Sequence, residues 1–236
     1  MSTSMVEGSP LKLMLRFAMP LLAGNLLQQT YNIIDAAIVG QTLGAQALAG
    51  VGASSSVQFL VLGFCMGSCA GFGVPIAKYF GAGDQKKMRD CVFNGAALTA
   101  LIAVILTITC SLLCNGILHI LSVPSDIYAD AYRYLIVIFL GIPFTLMYNY
   151  LSSILRSVGD SRTPFLFLAF SAGLNIFLDL FCIMVLHWGC MGAAIATVTA
   201  QAVSAVLCLF FIKKKMRFYG WKRKTGSCRG IQVRSF

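Results

Sequence analysis

Charge is what this sequence lacks. Only 11% of its 236 residues are charged, and the acids number just eight, where an ordinary soluble domain carries about 25% charged residues. With 58% hydrophobic residues and a mean hydropathy of +0.82, the composition excludes a soluble globular class and predicts an all-α integral membrane protein. Histidine is scarce as well, two in all. The nine cysteines are an odd number, and most lie in or beside apolar segments, so no disulfide framework is expected. Cys65/Cys69 and Cys110/Cys114 are spaced i, i+4, but neither pair has a nearby histidine or a second closing pair, as a zinc site needs. They read as small hydrophobes, and no metal site or cofactor is expected. Also missing is the GxGD signature of intramembrane aspartyl proteases: Gly-Asp occurs only at Gly83 and Gly159, in connections. No enzyme activity is expected.

The charge that is present is mostly positive, and its placement is informative. The formal net charge is +10. Seventeen of the eighteen Lys and Arg residues fall near Lys12 and Arg16, from Lys78 to Arg89, at Arg156 and Arg162, or from Lys213 onward; only Arg133 lies elsewhere. Alternate connections and both ends are therefore basic, the pattern of cytoplasmic loops. Six spans satisfy it, at about 13–40, 45–77, 91–117, 127–154, 165–186 and 193–212. Residues 1–12 then form a cytoplasmic N-terminus in front of a 13–212 transmembrane unit, and 213–236 a basic cytoplasmic tail suited to anionic lipid. A cell-membrane location with both termini inside follows, with no nucleic-acid partner. Gly63, Gly67, Gly71 and Gly73 in the second span suit close approach between helices, and Pro143 offers a bend in the fourth.

Two acids lie deep in apolar segments, at Asp35 and Asp179. A charge at mid-membrane costs at least about 2.5 kcal/mol on insertion scales, so such residues point to an ion, proton or substrate path. Asn25, Gln28, Asn32 and Asp35 follow i, i+3, i+7, i+10 and share one helix face. Ser171, Asn175 and Asp179 stack along another helix, and Thr145, Asn149 and Ser152 along a third. At 1.5 Å per residue, Asp35 lies about 26 Å and Asp179 about 22 Å up their spans, at similar depth. Tyr134 and Thr197 enter the same layer from the outer side. In a poorly hydrated cavity, desolvation and mutual repulsion oppose ionisation of such a pair, which suits it to taking up protons. Oxygens of Tyr134, Asn175 and Thr197 would equally complete a Na⁺ shell. Pro20 removes a backbone hydrogen bond from the first helix and favours a bend.

Three stretches carry a family resemblance: PLKLMLRFAMPLLAGNLLQQTYNIIDAAIVGQTLGAQALAGVG, RSVGDSRTP and LNIFLDLFCIMVLHWGCMGAAIATV. From Pro10 to Ile212 the chain resembles the amino-terminal half of the multidrug and toxic compound extrusion (MATE) transporters. The resemblance implies one six-helix lobe of a cation-coupled antiporter that exports organic, often cationic compounds. Asp35, Asp179, Asn175, Thr197 and Tyr134 would then form the lobe's H⁺ or Na⁺ site, Gln28, Asn32 and Asn149 would face the substrate cavity, and Pro20 would mark the helix bend. Protonation of the acids would compete with a cationic substrate. The implied partners are small organic substrates, the bilayer, and a second six-helix lobe or a second copy of the chain. A flippase for lipid-linked saccharides, or a fragment that inserts without transporting, are the alternative readings.

Overall fold

The computed structural model describes residues 10–218; most of the expected basic tail lies outside them. The described residues are helical almost throughout, as the hydropathy pattern requires. A backbone in hydrocarbon must satisfy its own polar groups, and helices do so locally. The helices are α1 (Pro10–Leu43), α2 (Ala45–Gly81), α3 (Gln85–Ile120), α4 (Ser125–Leu140), α5 (Ile142–Ser157), α6 (Arg162–Leu180) and α7 (Gly189–Phe218), with a π-helical segment at Phe181–Val185.

Polar turns set the ends. At the α2–α3 corner Gly83 takes φ +70°, a conformation open to glycine, and Asp84 caps α3 by accepting the Lys87 backbone N–H at 3.1 Å. That hydrogen bond holds the Asp84 carboxyl below the usual aspartate range. At the start of α6, Asp160 accepts both the backbone N–H and the hydroxyl of Thr163, at 3.1 and 2.9 Å.

Four helices are long and apolar enough to cross a membrane: α2, α3, α6 with its π segment, and α7. The pair α4–α5 makes a fifth, bent by 46°. With 34 residues α1 is long enough too, but Asn25, Gln28, Gln29, Asn32 and Asp35 dilute its apolar character. The expected fourth span is thus two helices, broken at Gly141 rather than bent at Pro143. Gly141 closes α4 and opens α5, and Pro143 falls in the first turn of α5, where its missing N–H has no partner to lose. The break coincides with a tight crossing, since a Cβ on Gly141 would meet Val198 Cγ2 of α7 at 2.3 Å.

The core is built from small and aliphatic side chains. Cys65, Cys69, Cys110 and Cys114 pack with Leu118, Leu135, Phe139, Ile142 and Leu146 where α2, α3, α4 and α5 meet. A second cluster joins Val39, Val51, Tyr134, Ile138 and Ala193; a third joins Leu151, Leu155, Cys208 and Ile212. The glycine stripe on α2 behaves differently from expectation. Gly73 alone of the four is in close contact, with its would-be Cβ 2.4 Å from Ser153 Oγ, while Gly63, Gly67 and Gly71 face open space. Gly73 also offers its carbonyl to the Ser157 hydroxyl at 2.8 Å. Outward, Phe93, Leu112 and Ile120 of α3 are 76, 78 and 85% exposed, a surface suited to hydrocarbon.

Candidate ion site and substrate cavity

Two adjoining features stand out where α1, α5, α6 and α7 converge: a buried oxygen cluster and, beside it, an open cavity. The cluster forms because polar residues recur on the inward faces of otherwise apolar helices. Asp35 on α1 is half-buried and Asp179 on α6 fully buried. Their carboxyls approach closely enough to interact directly. Tyr134 of α4, 3% exposed, and Tyr31 of α1 bring hydroxyls within electrostatic reach of both acids. One turn before Asp179, the Asn175 amide donates to Thr197 Oγ1 of α7 at 3.2 Å.

The cluster is rich in acceptors and poor in donors. Both carboxylate oxygens of Asp179, Oδ1 of Asp35 and Oδ1 of Asn175 are buried without a hydrogen bond. A buried acceptor left unsatisfied costs about 1–3 kcal/mol, and more when charged. Two carboxylates at short range add repulsion that burial screens poorly. A proton on one acid, or a small hard cation among the oxygens, would relieve both costs. Among the described residues no group of three His, Cys, Asp or Glu could hold a metal ion, and the cluster's own donors are all oxygens, which suit a hard cation rather than a soft transition metal.

The cavity is lined by α1 (Pro20, Gln28 and Tyr31 among others), α5 (Thr145, Tyr148, Asn149, Ser152, Arg156), α6 and α7. Asn175 and Thr197 line it as well, so they form a wall common to cavity and cluster. Asp35 and Asp179 do not line it. On α5, Asn149 donates its amide to the Thr145 carbonyl at 2.9 Å, and the Thr145 hydroxyl bonds Gln201 of α7. The Tyr148 hydroxyl donates to the Pro164 carbonyl at 3.0 Å, tying α5 to the start of α6.

The structure therefore brings together Asp35, Asp179, Asn175, Thr197 and Tyr134, and sets Gln28 and Asn149 on the cavity wall. Asn32 is placed apart: it is exposed, donates its amide to Gln29 Oε1 at 3.2 Å and does not line the cavity. Pro20 lies inside the continuous helix α1 and lines the cavity. Sequence reasoning passed over Tyr31, Gln58 and Arg156. Gln58 is a lone amide in an apolar run of α2, on the side of that helix near Tyr134. Arg156 continues the i, i+4, i+7 series of Thr145, Asn149 and Ser152 by one more turn, a signal hidden by its place beside a connection.

Comparison with known proteins agrees with this architecture. The chain is 32% identical over 208 residues to the probable multidrug resistance protein YpnP of Bacillus subtilis, covering 88% of this chain and 47% of that protein. To the probable multidrug resistance protein NorM of Thermotoga maritima it is 32% identical over 213 residues, covering 88% and 45%. Among solved structures, an outward-facing multidrug resistance MATE family transporter of the MOP superfamily superposes with a TM-score of 0.83 at 27% identity, over 88% of this chain and 46% of that one. A MATE structure in the bent conformation gives 0.82 at 27% identity, over 92% and 50%. The chain spans about half the length of the relatives it matches. A sequence model of the MatE family matches residues 20–181, and on that match the chain belongs to the MatE family.

Proposed function

We propose that this chain forms the amino-terminal six-helix lobe of an H⁺- or Na⁺-coupled antiporter that exports small organic compounds, working with a second six-helix lobe or a second copy of itself. In this reading it resides in the cell membrane with both termini cytoplasmic. The observation that carries the proposal is the donor-poor oxygen cluster of Asp35, Asp179 and Asn175, buried beside a cavity with which it shares Asn175 and Thr197.

The geometry favours a particular form of coupling. Because neither carboxylate is among the residues lining the cavity, ion and substrate need not compete for one charge in this reading. They meet instead across the Asn175–Thr197 hydrogen bond. Loading the cluster with a proton or Na⁺ engages Asn175 Oδ1 and the carboxylates and favours one arrangement of α6 against α7; substrate in the cavity favours the other. Exchange then follows from the differential affinity of each ligand for the two arrangements.

The test is efflux of a fluorescent substrate from cells that express the chain joined to, or beside, a second six-helix half. Asp35→Asn and Asp179→Asn are expected to abolish pH- or Na⁺-driven efflux while membrane insertion is unchanged. Wild-type efflux rates in both variants would remove the cluster from the coupling role.

A further inference from the structure

Among its described lining residues, the cavity carries formal charge at one point only, Arg156 in the last turn of α5. The guanidinium Nε donates to the Ser152 carbonyl at 3.3 Å. That contact lays the side chain along the cavity wall and leaves the terminal amino groups of its planar fork for another acceptor. The partner in this hydrogen bond is thus a carbonyl and not a carboxylate. One turn earlier, the Ser152 hydroxyl is 2% exposed and has no hydrogen bond. Ser161, 5% exposed, lines the same end of the cavity from the start of α6. The rest of the wall mixes apolar groups, Leu21, Leu62, Met66, Phe165 and Leu168, with amides and hydroxyls such as Gln28, Tyr31 and Asn149.

We propose that Arg156, Ser152 and Ser161 form an anion subsite, so that this lobe takes amphiphiles bearing a carboxylate, sulfonate or phosphate on an apolar body. A cation placed at this end would face the Arg156 guanidinium, and like charges repel. An anion there gains charge-assisted hydrogen bonds from a fork shaped for oxyanions, while its apolar body covers the leucines and aromatic ring beyond. The two acids, set off from the cavity, are left to the coupling ion. The inference rests on the transport reading only for the purpose of the cavity; the binding it asserts stands or falls separately.

The experiment is equilibrium dialysis of the full chain in phosphatidylcholine nanodiscs against two matched probes, naphthalene-2-sulfonate and 2-naphthyltrimethylammonium. Wild type is expected to bind the sulfonate more tightly than the ammonium. Arg156→Gln weakens the sulfonate by about tenfold or more, the scale of one lost charge-assisted hydrogen bond, without weakening the ammonium. Arg156→Lys keeps the charge but not the planar fork, so its sulfonate affinity is expected to fall between those of wild type and Arg156→Gln. Ser152→Ala, which leaves the charge in place, is expected to weaken it a few-fold and serves as the second variant if Arg156→Gln does not purify as a folded protein. Sulfonate affinity unchanged in Arg156→Gln and Ser152→Ala would overturn the proposal, and so would ammonium binding more tightly than sulfonate, or neither probe binding. A failure of ion coupling reads out in the efflux of Asp35→Asn and Asp179→Asn, and a failure of the anion subsite in the sulfonate-to-ammonium preference lost or kept in Arg156→Gln, so the two are distinguishable.

Discussion

Gly141 and Asn175 show how much single residues decide in this lobe. A methyl group at position 141 would collide with Val198 Cγ2 and Cγ1, at 2.3 and 3.0 Å. Overpacking of this kind costs about 1–3 kcal/mol. Gly141→Ala is therefore expected to lower the thermal unfolding midpoint in detergent, and Val198→Ala to recover part of the loss when combined with it. Identical midpoints for Gly141→Ala and wild type would show that the α4–α5 break does not depend on this crossing. Asn175 acts through hydrogen bonding rather than volume. Its amide holds Thr197 at 3.2 Å while its oxygen is buried without a hydrogen bond, so Asn175→Ala cuts the contact proposed to be common to ion and substrate. The expected result in the complete transporter is efflux that no longer responds to the ion gradient, with less effect on substrate binding at equilibrium. Efflux with undiminished coupling would place the link elsewhere.

Helices raise a different question, namely where each begins, bends and ends. The start of α3 depends on Asp84, whose carboxylate accepts the Lys87 N–H and is held below the ordinary aspartate range. A lowered folded-state value means the cap's contribution is present above the unfolded aspartate value and is lost as pH falls through the lowered one. Amide protection in the first turn of α3 should thus exceed that of Asp84→Ala at neutral pH, and the difference should vanish in strong acid. A difference that persists in strong acid would assign the cap to something other than the ionised carboxylate.

Much of this level was legible in the sequence. Apolar length marked the helices, and the i, i+4, i+8 run of Ser171, Asn175 and Asp179 placed the second acid at the depth of the first. What escaped depends on packing that no one-dimensional pattern records. Proline at 143 signals a bend, yet the break falls at Gly141 because α7 needs the space there. Gly63, Gly67 and Gly71 read like a packing stripe, but in this chain they meet nothing, and the contact belongs to Gly73. The π-helical turn at Phe181–Val185, directly after Asp179, has no compositional mark at all. Arg156 looked like a loop charge because its neighbours in sequence are polar, whereas its helical phase sends it into the cavity.

For the whole molecule, the separation of charge is the main result. Acids and cavity occupy adjacent but distinct places, joined by Asn175 and Thr197, and among the described lining residues Arg156 is the one cationic group. Relatives matched by this chain are about twice its length, so on the proposed reading alternating access belongs to the complete assembly and ion binding to this lobe. Co-expression with a second six-helix half should accordingly raise efflux well above that of the chain alone; equal efflux with and without it would favour a homodimer.

Ion binding by the purified chain tests the central claim most directly. Proton uptake would be followed by difference titration, and Na⁺ by equilibrium binding of the radioactive ion, comparing wild type with the Asp35→Asn/Asp179→Asn double variant in the same detergent. The buried cluster predicts that wild type takes up one of these ions that the variant does not. Equal titration curves together with equal Na⁺ binding would contradict it and leave the paired carboxylates as structure without an ionic role.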